Sequence, residues 1–132
     1  MIHRFDLRVY YEDTDLAGIV YYANYLKYIE RARSEYVRAL GIDQVALKAE
    51  ADLVFAVRRL EADYLQPARF DDRLVVETSQ EGVGGVRVVL RQRVLRDEAV
   101  LFDALVTLVA LSGGGGPARL PANIRRALAE EA

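Results

Sequence analysis

The stretch Tyr22-Ala23-Asn24-Tyr25-Leu26-Lys27-Tyr28-Ile29-Glu30-Arg31-Ala32-Arg33-Ser34-Glu35-Tyr36-Val37-Arg38-Ala39-Leu40-Gly41 decides the fold class. Tyr22, Tyr25, Leu26, Ile29, Ala32, Tyr36 and Leu40 follow one another mostly at three- or four-residue steps, the spacing of one helix face. Lys27, Arg31, Glu35 and Arg38 fall mostly elsewhere, and Gly41 stands where a helix ends on a left-handed residue. A helix from about Tyr22 to Leu40 is roughly 28 Å long, the span of a small domain. No other segment predicts a helix of that length.

Upstream, Phe5, Leu7 and Val9 alternate with Arg4, Asp6 and Arg8, which predicts a half-buried strand. Downstream, Asp43 caps a short helical stretch reaching Ala51. Four strand-like runs follow. The first places Val54, Ala56, Leu60, Ala62 and Tyr64 on one face, against Arg59, Glu61 and Asp63. Residues 66–72 break the run, and Leu74 to Ser79 resumes it before the hairpin signal Gly82-Val83-Gly84-Gly85. Val88, Leu90 and Val94 then oppose Arg87, Arg91 and Arg93. From Val100 to Leu111 only Asp103 and Thr107 are polar, which predicts a central strand covered on both faces. Gly113 to Gly116 reads as a flexible break, and Pro121 opens a short helix through Arg126 to Glu130.

This order makes one α+β domain over residues 1–132, a long helix wrapped by a roughly five-stranded antiparallel sheet. One helix cannot cover the whole sheet, so a homodimer or a homotetramer built as a dimer of dimers is expected.

Composition removes several functions. Basic minus acidic residues is 18 − 20 = −2, without the basic face that nucleic acid demands. The absence of cysteine excludes thiolate nucleophiles and thiolate metal sites, and a single histidine leaves no polyhistidine centre and almost no room for Ser-His-Asp chemistry. No metal and no cofactor is expected. No apolar run reaches the roughly 18 residues of a membrane span, and no signal peptide is evident, so a cytoplasmic location is expected.

Chemistry concentrates in Glu12-Asp13-Thr14-Asp15, between the first strand and the long helix. As a calcium loop it fails, because Ala17 occupies a ligand position and Asn24 replaces the closing glutamate. A solvated turn favouring the positive helix end is its plainest reading. The sequel points further. Asp15 is followed by Leu16-Ala17-Gly18-Ile19-Val20 and then the helix start, where backbone N–H groups near Val20 to Tyr22 are left over. A desolvated carboxylate beside such donors can attack a carbonyl, or activate water against it, while the donors hold the oxyanion. Thioesters are reactive enough for this pair to suffice.

The stretch Val9-Tyr10-Tyr11-Glu12-Asp13-Thr14-Asp15-Leu16-Ala17-Gly18-Ile19-Val20-Tyr21-Tyr22-Ala23-Asn24-Tyr25, continued by Tyr28-Ile29-Glu30-Arg31-Ala32-Arg33, resembles the 4-hydroxybenzoyl-CoA thioesterase family. It is most similar to that family's tol-pal-associated acyl-CoA thioesterase branch. Tyr64-Leu65-Gln66-Pro67-Ala68-Arg69 and Asp71-Asp72 extend the likeness, and Arg119-Leu120-Pro121 does so weakly. The resemblance implies the hotdog fold and an acyl-CoA thioesterase acting on short-chain or aromatic acyl groups. It implies Asp15 as the catalytic nucleophile or general base and the Tyr22 N–H as the donor that polarises the thioester carbonyl. The tol-pal branch usually carries histidine where this chain has Tyr22, and the hydroxybenzoyl branch carries tyrosine.

Seven of the eight tyrosines lie between positions 10 and 36, and as amphipathic rings they suit a helix core. Tyr10, Tyr21 and Tyr25, with Val20, are candidate walls of the acyl pocket, and Glu30 is a candidate support for the site. Arg58, Arg59, Arg69, Arg87, Arg91 and Arg93 are candidates for coenzyme A phosphates, with none singled out. His3 is expected at the surface. The alternative to an enzyme is a module that binds acyl-CoA or an acyl carrier protein without turnover.

Overall fold

The computed structural model describes residues 2–130, and the side chain of Glu130 is outside that description. The chain runs β1 (His3–Arg8), α1 (Asn24–Ala39), α2 (Gln44–Ala51), β2 (Leu53–Tyr64), β3 (Arg73–Val83), β4 (Arg87–Arg96), β5 (Ala99–Ser112) and α3 (Ala122–Glu130). The strands form one antiparallel sheet in the order β1-β3-β4-β5-β2. This is the α+β hotdog arrangement, with α1 lying on the inner face.

Helix α1 starts at Asn24, two residues later than its periodicity predicts, because Tyr21 and Tyr22 serve the turn before it. It ends as the sequence requires. Gly41 takes φ +82°, its N–H donates to the Arg38 carbonyl and the Ile42 N–H donates to the Val37 carbonyl, a Schellman closure. Asp43 caps α2 by accepting the Ala46 N–H at 3.0 Å.

Tyr25, Tyr28, Ile29, Ala32, Tyr36 and Val37 of α1 are buried. Opposite them lie Leu74 and Val76 of β3, Val88, Leu90 and Val94 of β4, and Phe102, Ala104, Val106 and Ala110 of β5. One polar group crosses this core. The fully buried Gln92 donates from Nε2 to the Ile29 carbonyl (2.8 Å) and to Thr78 Oγ1 (3.0 Å), and its Oε1 accepts from Arg33 (3.0 Å). Burial pulls the Arg33 pKa below its ordinary value. The cluster pins the middle of α1 to β3 and β4.

Several expectations change. Strand β2 carries a bulge: Val57 opposes Leu108 while Arg59 opposes Thr107, leaving Arg58 as the extra residue. Alternation therefore inverts midway. Phe55 and Val57 share the inner face with Leu60, Ala62 and Tyr64, and Val54 and Ala56 do not. Second, β5 is an interior strand, but β4 is the middle one, and Leu105 on its outer face is 38% exposed because this chain supplies no second layer there. Third, His3 is half-buried against the Tyr36 ring (centroids 6.0 Å apart), since β1 lies over the last turns of α1. The glycine run forms a chain reversal, with Gly115 at φ +86° and the chain returning to pair Pro117 with Leu111.

Candidate functional site

The segment between β1 and α1 is built from local hydrogen bonds. The Asp13 carboxylate accepts the Tyr10 N–H (2.8 Å) and closes a 3-10 turn over Tyr11–Asp13. Thr14 then pairs with Val20, the Asp15 N–H donates to the Ile19 carbonyl (2.9 Å), and Gly18 turns the chain at φ +78°. Positive φ there favours glycine. The result is a tight hairpin with Leu16 at its tip, fully exposed to solvent.

The hairpin fixes which backbone donors remain. The Val20 N–H reaches the Ala68 carbonyl at 2.8 Å, and the Tyr21 N–H reaches the Asp13 carbonyl at 2.9 Å. That same carbonyl accepts Asn24 Nδ2 at 2.8 Å, and the Asn24 N–H donates to the Tyr21 carbonyl. The Tyr22 N–H has no acceptor among the described residues. Of the donors expected from Val20 to Tyr22, two are consumed, because the turn folds back on itself and on the 66–72 loop. Tyr22 is the one left at the start of α1, where the helix dipole is positive.

Tyr22 lines a cavity of about 340 Å³ with Val20, Tyr25, Tyr64, Leu65 and Pro67. The aromatic walls are ordered by one another. Tyr25 stacks on Phe102 with centroids 5.0 Å apart, and Tyr64 meets Phe102 and Tyr25 edge-on at 4.9 and 5.5 Å. Both hydroxyls are engaged by backbone: Tyr64 donates to the Tyr22 carbonyl (3.0 Å), and Tyr25 accepts the Ala68 N–H (3.1 Å). Burial raises both pKa values, so both rings stay neutral donors or acceptors. Behind Asp13, burial first and then the facing Asp13 carboxylate push the Tyr28 hydroxyl well above its ordinary value.

The opposite wall is a braced loop. Leu101 is skipped by the β4 register, and its carbonyl accepts the N–H groups of Leu65 and Gln66. Arg96 holds the Pro67 carbonyl (3.2 Å) and the Asp72 carboxylate (2.8 Å), and Asp72 also accepts the Arg69 N–H.

The structure thus brings Val20, Tyr22 and Tyr25 together. Other candidates lie elsewhere. Tyr21 is exposed, its ring edge against Tyr22 at 5.0 Å, and Tyr10 is more exposed still. Glu30 sits on the solvent side of α1 and accepts a hydrogen bond from Ser34 (2.8 Å). The Asp15 carboxylate is outside the cavity lining and accepts the Ala17 N–H at 2.9 Å. It is exposed rather than desolvated, because no other element of this chain covers the projecting hairpin. Tyr64 and Asn24 were not among the sequence candidates. Tyr64 could have been found, since it opens the Tyr64-Leu65-Gln66-Pro67 motif, whereas nothing local marks Asn24. Among the described residues no cluster of three or more metal-ligating side chains occurs.

A free N–H at a helix start, on a residue that lines an aromatic cavity, suits an acyl carbonyl oxygen and its acyl group. Comparison with known proteins supplies the family. Residues 17–102 match the Thioesterase superfamily model. The chain is 41% identical over 124 residues to the acyl-CoA thioesterase YbgC of Haemophilus influenzae, spanning 93% of this chain and 91% of that protein. It is also 41% identical over 108 residues to the acyl-CoA thioester hydrolase YbgC of Escherichia coli O157:H7, spanning 82% of this chain and 80% of that one. A probable thioesterase from Bartonella henselae superposes with a TM-score of 0.88 at 36% identity, covering 92% of this chain and all of its own. The family expected from the motif is the family found: the chain belongs to the thioesterase superfamily and is a thioester hydrolase of the hotdog fold.

Proposed function

We propose that this enzyme hydrolyses short-chain or aromatic acyl-CoA thioesters to the free acid and coenzyme A. The carrying observation is that Tyr22, whose N–H has no acceptor among the described residues, lines the aromatic cavity. The thioester oxygen accepts that N–H, and the acyl group lies against Tyr25 and Tyr64. Asp15 either attacks the carbonyl carbon, forming an anhydride that water then hydrolyses, or takes a proton from the water that attacks it. On both routes the carbon–sulfur bond breaks and the coenzyme A thiolate leaves and is protonated. Oxygen esters are poor substrates, because a carboxylate without a histidine partner needs the better leaving group.

A second copy of the chain completes the site. The exposed Leu16 tip beside Asp15 and the unpaired outer edge of β2 support this. So do Val57, Leu60 and Tyr64, inner-face residues along that edge that are 50%, 37% and 48% exposed. The active site then lies at the boundary between copies, with Asp15 from one chain and pocket residues from the other, and Asp15 loses its water there.

A panel of acyl-CoAs, followed by thiol release, tests the reading together with Asp15→Asn. Turnover should fall at least about a hundredfold, with melting temperature and ligand affinity nearly unchanged. Near-normal turnover in Asp15→Asn would defeat the assignment. Binding of acyl-CoA or of an acyl carrier protein without thiol release from wild type would leave the binding module instead.

A further inference from the structure

The outer face of the sheet, turned away from α1, carries two kinds of charge. Over β1, β3 and the middle of β4 most cations meet a carboxylate, Arg73 excepted. Arg4 and Arg93 both bridge Glu77, at 3.2 and 2.9 Å, and Arg91 holds Asp103 through two hydrogen bonds of 3.1 and 2.7 Å. At the corner where β2, β5 and the start of β4 meet, the balance is different. A hollow of about 220 Å³ there is lined by Arg58, Arg59 and Arg87, with Glu61 the only carboxylate in its wall among the described residues. Glu61 is already taken by Arg59 at 2.6 Å, and neither Arg58 nor Arg87 has a carboxylate partner among the described residues.

The bulge in β2 creates this excess. In a regular strand two consecutive arginines point to opposite faces, whereas here both line the hollow, with Arg58 the unmatched residue. Arg87 approaches from β4, two strands away, a span of roughly 10 Å. Thr107 adds a hydroxyl between them, and Val89 and Leu105 make an apolar floor. Three guanidinium groups against one carboxylate repel one another, on a chain whose net charge is −2. A multiply charged anion removes that repulsion, and guanidinium forks suit phosphate oxygens.

We propose that this hollow is a phosphate-binding site, with Arg58 and Arg87 as its principal contacts. It is remote from the acyl cavity: Arg58 lies six residues from Tyr64 along β2, roughly 20 Å, and opens on the other face. The phosphate belongs either to the coenzyme A part of the substrate or to a separate phosphorylated ligand.

Calorimetric titration of the full chain with inorganic pyrophosphate tests the site. The double variant Arg58→Gln, Arg87→Gln should lose about tenfold or more in affinity with its melting temperature held or raised. Equal affinity in the two proteins, or no binding by wild type at low ionic strength, would overturn the proposal. Hydrolysis then separates the sources. A KM raised for an acyl-CoA but not for the same acyl group on pantetheine assigns the site to coenzyme A phosphates. Unchanged KM values, with pyrophosphate affinity lost, assign it to a separate ligand. Turnover of the pantetheine thioester by wild type checks the thioesterase reading independently.

Discussion

Asp13 and Asp15 stand two residues apart and do different work. Asp13 is structural: its carboxylate closes the 3-10 turn, and its carbonyl collects the Tyr21 N–H and the Asn24 amide. Asp13→Asn keeps an acceptor for the Tyr10 N–H, so its effect on turnover should be far milder than that of Asp15→Asn. Tyr64 is the residue that ties β2 to the start of α1, because its hydroxyl holds the carbonyl of the residue that presents the free N–H. Tyr64→Phe keeps the ring packing on Tyr25 and Phe102 and removes only that bond. The lost hydrogen bond amounts to about 1 kcal/mol, so kcat should fall several-fold with KM and melting temperature nearly constant. Steady-state kinetics of the variant decide it, and a KM effect alone would make Tyr64 a simple pocket wall. A single turnover in heavy-oxygen water addresses Asp15 itself: label left on the Asp15 carboxyl group marks a nucleophile.

Helix α1 is held to the sheet by apolar burial along its length and by one buried amide at its middle. Gln92→Ala removes the partner of Thr78, of Arg33 and of the Ile29 carbonyl, and it leaves a void where nothing was exposed. The cost should be about 2–4 kcal/mol, measurable by urea unfolding. A change below about 0.5 kcal/mol would show that the cluster is not a clamp. The aromatic side of α1 sets a pH limit. Burial raises the pKa values of Tyr25, Tyr28 and Tyr64 in the fold above that of an ordinary tyrosine. The unfolded chain therefore releases these protons first. Stability should be flat in this respect below about pH 10 and should fall as pH rises through and beyond it. Thermal melts on either side of that pH check the sign, and Tyr28→Phe should lessen the fall.

For the whole molecule, the outer edge of β2 is a long unpaired strand with apolar side chains along its inner face. Such an edge is normally covered. Light scattering at micromolar concentration should report a dimer or a tetramer, and a stable 14.8 kDa monomer would remove the shared-site proposal. Leu60→Glu, which charges that inner-face edge without touching the hairpin, should shift the protein toward monomer and lower turnover together. Loss of assembly with full activity would show that one chain suffices.

Hydrophobic period and turn chemistry are local, so the order of one long helix and five strands was legible in the sequence, as were the Gly41 closure and the Asp43 cap. The motif from Val9 to Arg33 carried the family for the same reason, being one unbroken segment. Other features depend on residues distant in the chain. The Val20 N–H is consumed by Ala68, and the free Tyr22 N–H acquires an aromatic wall only when β2 places Tyr64 beside it. The β2 bulge escaped the alternation pattern because its extra residue, Arg58, is followed by another arginine. Periodicity cannot say which of two adjacent charged residues is unmatched, and only the register against β5 decides it. Exposure of Asp15 was likewise a tertiary matter. A carboxylate is desolvated by what packs over it, and a short hairpin carries no covering element of its own.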